Sequence, residues 1–220
     1  MDINTLNRIL EIGNDHLATS ADTPIRPDAF HLSNDEKITL IERNFREIMH
    51  TLGLDLTDDS LSGTPYRIAK MYVEEIFAGL DPHNEPKIAL FENKYHYDQM
   101  LVEKNITLFS NCEHHFVPIV GKVHVAYVPN QYVIGLSKIH RVVNYFAKRP
   151  QVQERLTNQI ANYLAKTLQT QHVAVLVDAV HLCVSSRGIQ DTTSATVTSC
   201  YLGKFLEQSY QEQFIAQIQL

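Results

Sequence analysis

Apolar residues recur every three or four positions through the first third of the chain and nearly alternate in several segments after residue 105, so a helical part precedes a sheet-forming part. Ile3, Leu6, Ile9 and Leu10 predict an amphipathic helix over residues 1–18. Thr19 to Leu32, with Pro24 and Pro27 among small polar residues, reads as a linker. Ser33-Asn34-Asp35-Glu36 fits a capping box, in which the serine hydroxyl and the glutamate carboxylate each accept from a backbone N–H of the first turn. The helix that follows carries Ile38, Ile41, Phe45, Ile48, Met49 and Leu52 on one side, and Gly53 supplies a left-handed stop. Thr64 and Pro65 suit the cap and first position of another helix, running to about Ala78 before Gly79, with Ile68, Met71, Tyr72 and Ile76 inward.

Beyond residue 105, the segments Ile106 to Phe109, Phe116 to Val128, Gln131 to Ile134, Val173 to Ser185 and Ser194 to Leu202 are rich in Val, Ile, Thr and Tyr and read as strands. Two helices fall between them. One opens at Ser137 and turns Ile139, Val142, Val143 and Phe146 inward; the other runs from about Gln151 with Val152, Leu156, Ile160, Leu164 and Leu168. Leu206, Tyr210, Phe214 and Ile218 predict a last helix. The fold class is α+β, a mainly antiparallel sheet with helices packed on one face and a helical segment in front. The expected organisation is an N-terminal helical segment with linker over 1–55 and a catalytic domain over 56–220.

With 220 residues, 44% hydrophobic and 20% charged, the chain can bury a sizeable core and is not disordered as a whole. It has no run of about 18 apolar residues that could span a bilayer, and Asp2 stands where a secretory signal would be cationic, so a cytoplasmic location with no membrane association is expected. Nineteen Lys and Arg against 25 Asp and Glu give a net charge of −6, which excludes the broad basic surface of a nucleic-acid binder. Any anionic ligand needs a local basic cluster. Three cysteines, Cys112, Cys183 and Cys200, argue against a disulfide framework and make metal chemistry the question, sharpened by eleven histidines.

Asn111-Cys112-Glu113-His114-His115 gives Cys112 and His115 a C-x-x-H spacing, with which one turn can offer a thiolate and an imidazole to one zinc ion. In Val180-His181-Leu182-Cys183-Val184, read as a strand, His181 and Cys183 share a face. Either piece alone more often describes an inert buried thiol with ordinary histidines nearby. Together, in a chain with one other cysteine, they suggest Cys112, His115 and Cys183 as three ligands of a Zn2+ whose fourth tetrahedral position stays open to water, the pattern of a catalytic zinc. His114 and His181, adjacent to ligands or nearly so, are candidates for proton transfer. Arg67 with Lys70 and Lys138 with Arg141 each lie three apart on a helix, and Arg187 follows the second metal piece; five such cations match a polyphosphate. Cys200 reads as a small core residue.

The blocks TPYRIAKM at 64–71, NCEHHF at 111–116, GLSKIHR at 135–141, VQERLT at 152–157, HLCVSSRGI at 181–189 and TSATVTS at 193–199 closely resemble GTP cyclohydrolase I in content, order and separation, over about residues 55 to 205. The resemblance implies the tunnelling fold, in which subunits join their sheets into a barrel. It also implies a homodecamer of two pentamers with active sites at subunit boundaries. The reaction implied converts GTP and water to 7,8-dihydroneopterin triphosphate and formate, the entry to folate or tetrahydropterin synthesis. By position, the resemblance assigns Zn2+ to Cys112, His115 and Cys183, and proton transfer to His114 and His181. It assigns guanine recognition to Glu154, and triphosphate binding to Arg67, Lys70, Ser137, Lys138, Arg141 and Arg187. Rival readings are another purine- or pterin-binding protein of the same fold, or a non-catalytic one with a structural zinc. A zinc nucleobase deaminase is disfavoured because its paired P-C-x-x-C is missing.

Overall fold

The computed structural model describes residues 2–4 and 20–219. The helix expected over residues 1–18 falls, apart from residues 2–4, outside them. The first helix, α1 (Asn34–Thr51), starts as the capping box requires: Ser33 Oγ accepts from the Glu36 N–H and the Glu36 carboxylate accepts from the Ser33 N–H at 2.8 Å. Gly53 follows its C-terminus at φ 83°. Of the six apolar residues expected inward, only Ile38 and Met49 are buried, while Ile48 and Leu52 are exposed. A short turn, α2 (Asp59–Ser62), leads into α3 (Thr64–Met71), on which α1 packs, with the Phe45 and Tyr72 rings edge to face at 5.5 Å.

The helix expected to reach Ala78 instead leaves α geometry at Met71 and widens into a π turn over Tyr72–Ile76, which the Phe77 N–H closes on Tyr72 O at 3.0 Å. Beyond this turn Gly79 docks closely: its N–H donates to Lys148 O at 2.9 Å, and a Cβ at this position would stand 2.0 Å from Tyr145 O, so only glycine allows the approach.

Five strands form the main sheet in the order β5-β2-β3-β6-β7, with β2 (Leu101–Cys112), β3 (Pro118–Tyr127), β5 (Pro150–Gln151), β6 (Val173–His181) and β7 (Thr196–Tyr201). β2–β3, β3–β6 and β6–β7 are antiparallel; β5 runs parallel to the end of β2, pairing Asn111 with Pro150 and Cys112 with Gln151. β1 (Leu90–Glu92) and β4 (Tyr132–Ile134) make a separate two-stranded ribbon. β1 and β5 are too short to leave a periodic signal and were not expected. A bulge between Glu103 and Ile106, with Asn105 at φ 61°, lets β2 run on through the position where a shorter strand was expected. The strand expected from Phe116 begins at Pro118, because Phe116 takes φ 54° in the turn that precedes it.

Helices α4 (Leu136–Ala147) and α5 (Gln153–Leu168) cover one sheet face, as the periodicity predicts. Leu156, Ile160, Leu164 and Leu168 of α5 are 0–1% exposed and share one core with Val123, Val125, Val175 and Val177. Burial of each such side chain is worth about 1.5–3 kcal/mol. Val152 is only half-buried, as the residue before α5. The last helix, α7 (Gln208–Gln219), places Phe214 beside Phe205 against Met100, Ala126, Ala174 and Leu176 on the opposite face. Leu206, expected inward, is exposed; Phe205 takes the buried place from a 3-10 turn ahead of the helix. Among the described residues no helix is long and apolar enough to cross a membrane.

Candidate metal centre and its surroundings

β2 delivers Cys112 to the end of the sheet, where the chain reverses in a tight turn. The Cys112 N–H donates to Val117 O, the Phe116 N–H returns to Cys112 O, both at 2.9 Å, and Asn111 Nδ2 donates to Phe116 O. This turn leaves Cys112 buried and His114 and His115 exposed. β6, two strands away, ends at the same level, with Ile119 paired to His181.

The strand read over Val173–Ser185 stops at His181, and Leu182–Ser185 forms a single helical turn, α6. Cys183 therefore does not share a strand face with His181; the turn, not β alternation, carries its sulfur back toward Cys112. The result is nonetheless the juxtaposition expected: the ligand atoms of Cys112, His115 and Cys183 all lie within 4.8 Å of one another. Cys112 Sγ stands 3.8 Å from His115 Nδ1 and 3.7 Å from His114 Nδ1. Ligands 2.0–2.3 Å from a tetrahedral centre lie within about 4 Å of one another, so this trio fits a zinc ion with a small closing movement. One buried sulfur, one half-buried sulfur and an exposed imidazole leave the solvent side open for a fourth ligand.

Burial, reinforced by neighbouring Cys112, pushes the Cys183 thiol above its ordinary pKa, while Arg187 nearby opposes the shift. Metal binding at this site therefore has to displace a thiol proton. His181 is pushed below its ordinary value by burial, with Glu154 opposing, which favours the neutral imidazole.

Gln153, at the start of α5, was not expected in the site. Its Nε2 donates toward Val177 O at 3.1 Å, Thr196 O at 2.8 Å and Thr198 Oγ1 at 3.1 Å, which fixes the amide orientation. Its Oε1 then faces His181 Nε2 at 2.8 Å, so that nitrogen carries the hydrogen and Nδ1 holds the lone pair of neutral His181. Glu113 and Arg155 were missed as well: the two form a close ion pair beneath the Cys112–His115 turn, with the Arg155 side chain only 3% exposed. The sequence gives one hint, the polar residues 151, 153, 155, 157 and 159 flanking the apolar stripe of α5, all of them buried.

Glu154 is exposed in the first turn of α5, close enough to His181 to act on its charge. The cations are spread over three elements of the chain, with Arg187 close enough to Cys183 to act on its charge. Arg67, on α3, donates to Thr64 Oγ1 at 2.8 Å, and Lys70 pairs with Glu74 at 3.8 Å. Ser137, Lys138 and Arg141 lie on the first turns of α4, and Arg187 is exposed after α6. Among the described residues, none of these six side chains has a hydrogen bond or ion pair with the metal trio. A cavity of about 1050 Å3 opens beside Glu113 and His114, lined by Ile25, Phe30, Ile41, Phe45, Tyr72 and Phe77 together with Arg26 and Lys37.

A family model of GTP cyclohydrolase I matches residues 41–219. The chain is 53% identical to GTP cyclohydrolase 1 of Flavobacterium johnsoniae over 218 residues, covering 99% of this chain and 98% of that one. It is 56% identical to GTP cyclohydrolase 1 of Salmonella gallinarum and 55% identical to that of Salmonella choleraesuis, each over 200 residues and 90% of both chains.

Proposed function

The chain belongs to the GTP cyclohydrolase I family, and from that premise we propose that it converts GTP and water to 7,8-dihydroneopterin triphosphate and formate, with a zinc ion held by Cys112, His115 and Cys183. The observation that carries the reading is the meeting of those three ligand atoms, from two distant stretches of chain, within 4.8 Å. Thiolate and imidazole ligands with an open position suit zinc. When bound, zinc lowers the pKa of water from 15.7 toward about 7, which makes hydrolysis feasible at neutral pH.

The chain's own groups do the rest. Glu154 accepts from the guanine N1–H and amino group, a donor pair that adenine does not present. His114 gives a proton to the imidazole nitrogen of the guanine as water adds at C8 and the ring opens. A second water cleaves the formyl group to release formate, and closure of the new ring expels one, so the net reaction consumes one water. His181, with its Nε2–H held on Gln153 and its Nδ1 lone pair available, accepts and returns protons while the ribose opens and rearranges. Arg67, Lys70, Ser137, Lys138, Arg141 and Arg187 bind the triphosphate, the arginines through paired N–H donors.

The assembly is part of the same reading. β7 is a terminal strand of the sheet, with Val197 59% exposed, and β2 is covered on its outer side only by the two residues of β5. Such edges favour pairing with another copy. A decamer of two pentamers would pair them and bring the basic groups of neighbouring subunits to one metal. Free thiols as ligands suit a reducing cytoplasm.

Zinc-loaded protein incubated with GTP should release one formate per nucleotide consumed and yield a pterin that fluoresces after oxidation. Zinc-replete protein with its thiols intact that leaves GTP unchanged would refute the proposed activity.

A further inference from the structure

We propose that Arg155 is a positioning residue, which through Glu113 sets the Cys112–His115 turn and the His114 ring in the geometry needed for metal binding and proton transfer. The inference rests on the ligand assignment above.

Arg155 projects from the first turn of α5 into the space beneath the Cys112–His115 turn. Its Nε donates to Gln151 Oε1 at 3.1 Å, and its Nη2 makes a close contact with Glu113 Oε2. The other Glu113 oxygen lies 3.8 Å from His114 Nε2. One carboxylate thus links a rigid helix to the imidazole proposed as proton donor. Gln151 is itself locked, its Nε2 donating to Phe146 O at 2.8 Å and Gln159 Oε1 at 2.9 Å, and its carbonyl accepts from the Glu113 N–H at 3.0 Å. The parallel pair between β2 and β5 ties Cys112 to the same residue. Glu113 is therefore held at both its backbone and its carboxylate, and it sits between one proposed ligand and the proposed proton donor.

The arrangement is a poor source of stability. A guanidinium this deeply buried loses its hydration, and Arg155 Nη1 is fully buried with no hydrogen-bond partner among the described residues. Apolar residues of similar size commonly replace a buried ion pair at no net cost. What they cannot supply is direction: a planar fork fixed at Nε by Gln151 aims Nη2 at one carboxylate oxygen. Groups that orient metal ligands from behind are worth tenfold to a hundredfold in metal affinity.

Three variants test this: Glu113→Gln, Arg155→Lys and the double apolar exchange Glu113→Leu/Arg155→Met. Zinc affinity is measured by chelator competition, tetrahedral geometry by the visible spectrum of the cobalt(II) form, and GTP turnover as separate kcat and KM. Each variant should bind zinc about 10- to 100-fold more weakly and show an altered cobalt spectrum, with kcat reduced at least tenfold and KM for GTP changed less. The double variant should show these losses while its metal-free form melts no lower than the parent. A folded double variant that binds zinc and turns over GTP like the parent overturns the proposal, as would losses that simply track melting temperature. Should the parent prove inactive on GTP, the proposed activity fails, but the zinc and cobalt measurements still decide the role of Arg155.

Discussion

Replacing Cys183 with serine should reduce GTP turnover at saturating zinc by at least about a thousandfold, because the site loses one of its two sulfurs and with it the ion that acidifies water. The chain should remain folded. Cys183 is half-buried in a one-turn helix at the margin of the core, so an oxygen in place of sulfur opens no large cavity. Zinc content by mass spectrometry of the native protein should fall from one ion per chain toward zero, while circular dichroism stays as in the parent. The same exchange at Cys200 serves as the control. That cysteine packs against the main core on β7, away from the metal trio, and burial holds its thiol above the ordinary range. Zinc content there should not change.

Glu154→Gln should cost about three orders of magnitude or more in kcat/KM for GTP with zinc content intact, because the substitution sets an amide donor against the guanine donors and leaves one of them unpaired. Glu154 is exposed and takes no part in the core, so the melting temperature should be unchanged. Steady-state kinetics with GTP, and with inosine triphosphate, which lacks the exocyclic amino group, separate the two contacts. The parent should prefer GTP strongly, and the variant should lose most of that preference. Equal preference in parent and variant would remove Glu154 from guanine recognition.

The meeting of Cys112, His115 and Cys183 was legible in the sequence because a short spacing and scarce cysteines carry information that tertiary structure does not dilute. Cys112 and His115 are three residues apart in one turn, and only Cys183 and Cys200 could supply a second sulfur. The route by which Cys183 arrives was not legible. The run Val173 to Ser185 is β-rich throughout, and only the contacts of the folded chain end the strand at His181 and wind Leu182–Ser185 into a turn. Likewise, the apolar stripe of α5 was plain, but nothing in the sequence marked Gln151, Gln153 and Arg155 as buried. They are buried because β5, β7 and the metal turn close over them, and those neighbours come from strands too short or too distant to be read locally. The π turn at Tyr72–Ile76 was not legible either, and the close seating of Gly79 that follows it depends on Tyr145 and Lys148, some seventy residues away in sequence.

X-ray absorption at the zinc edge of the loaded protein tests the central claim most directly. Two sulfurs at about 2.3 Å and two lighter atoms at about 2.0–2.1 Å are expected, one from His115 and one from solvent. A shell of three or four sulfurs, or one of nitrogen and oxygen alone, would contradict it.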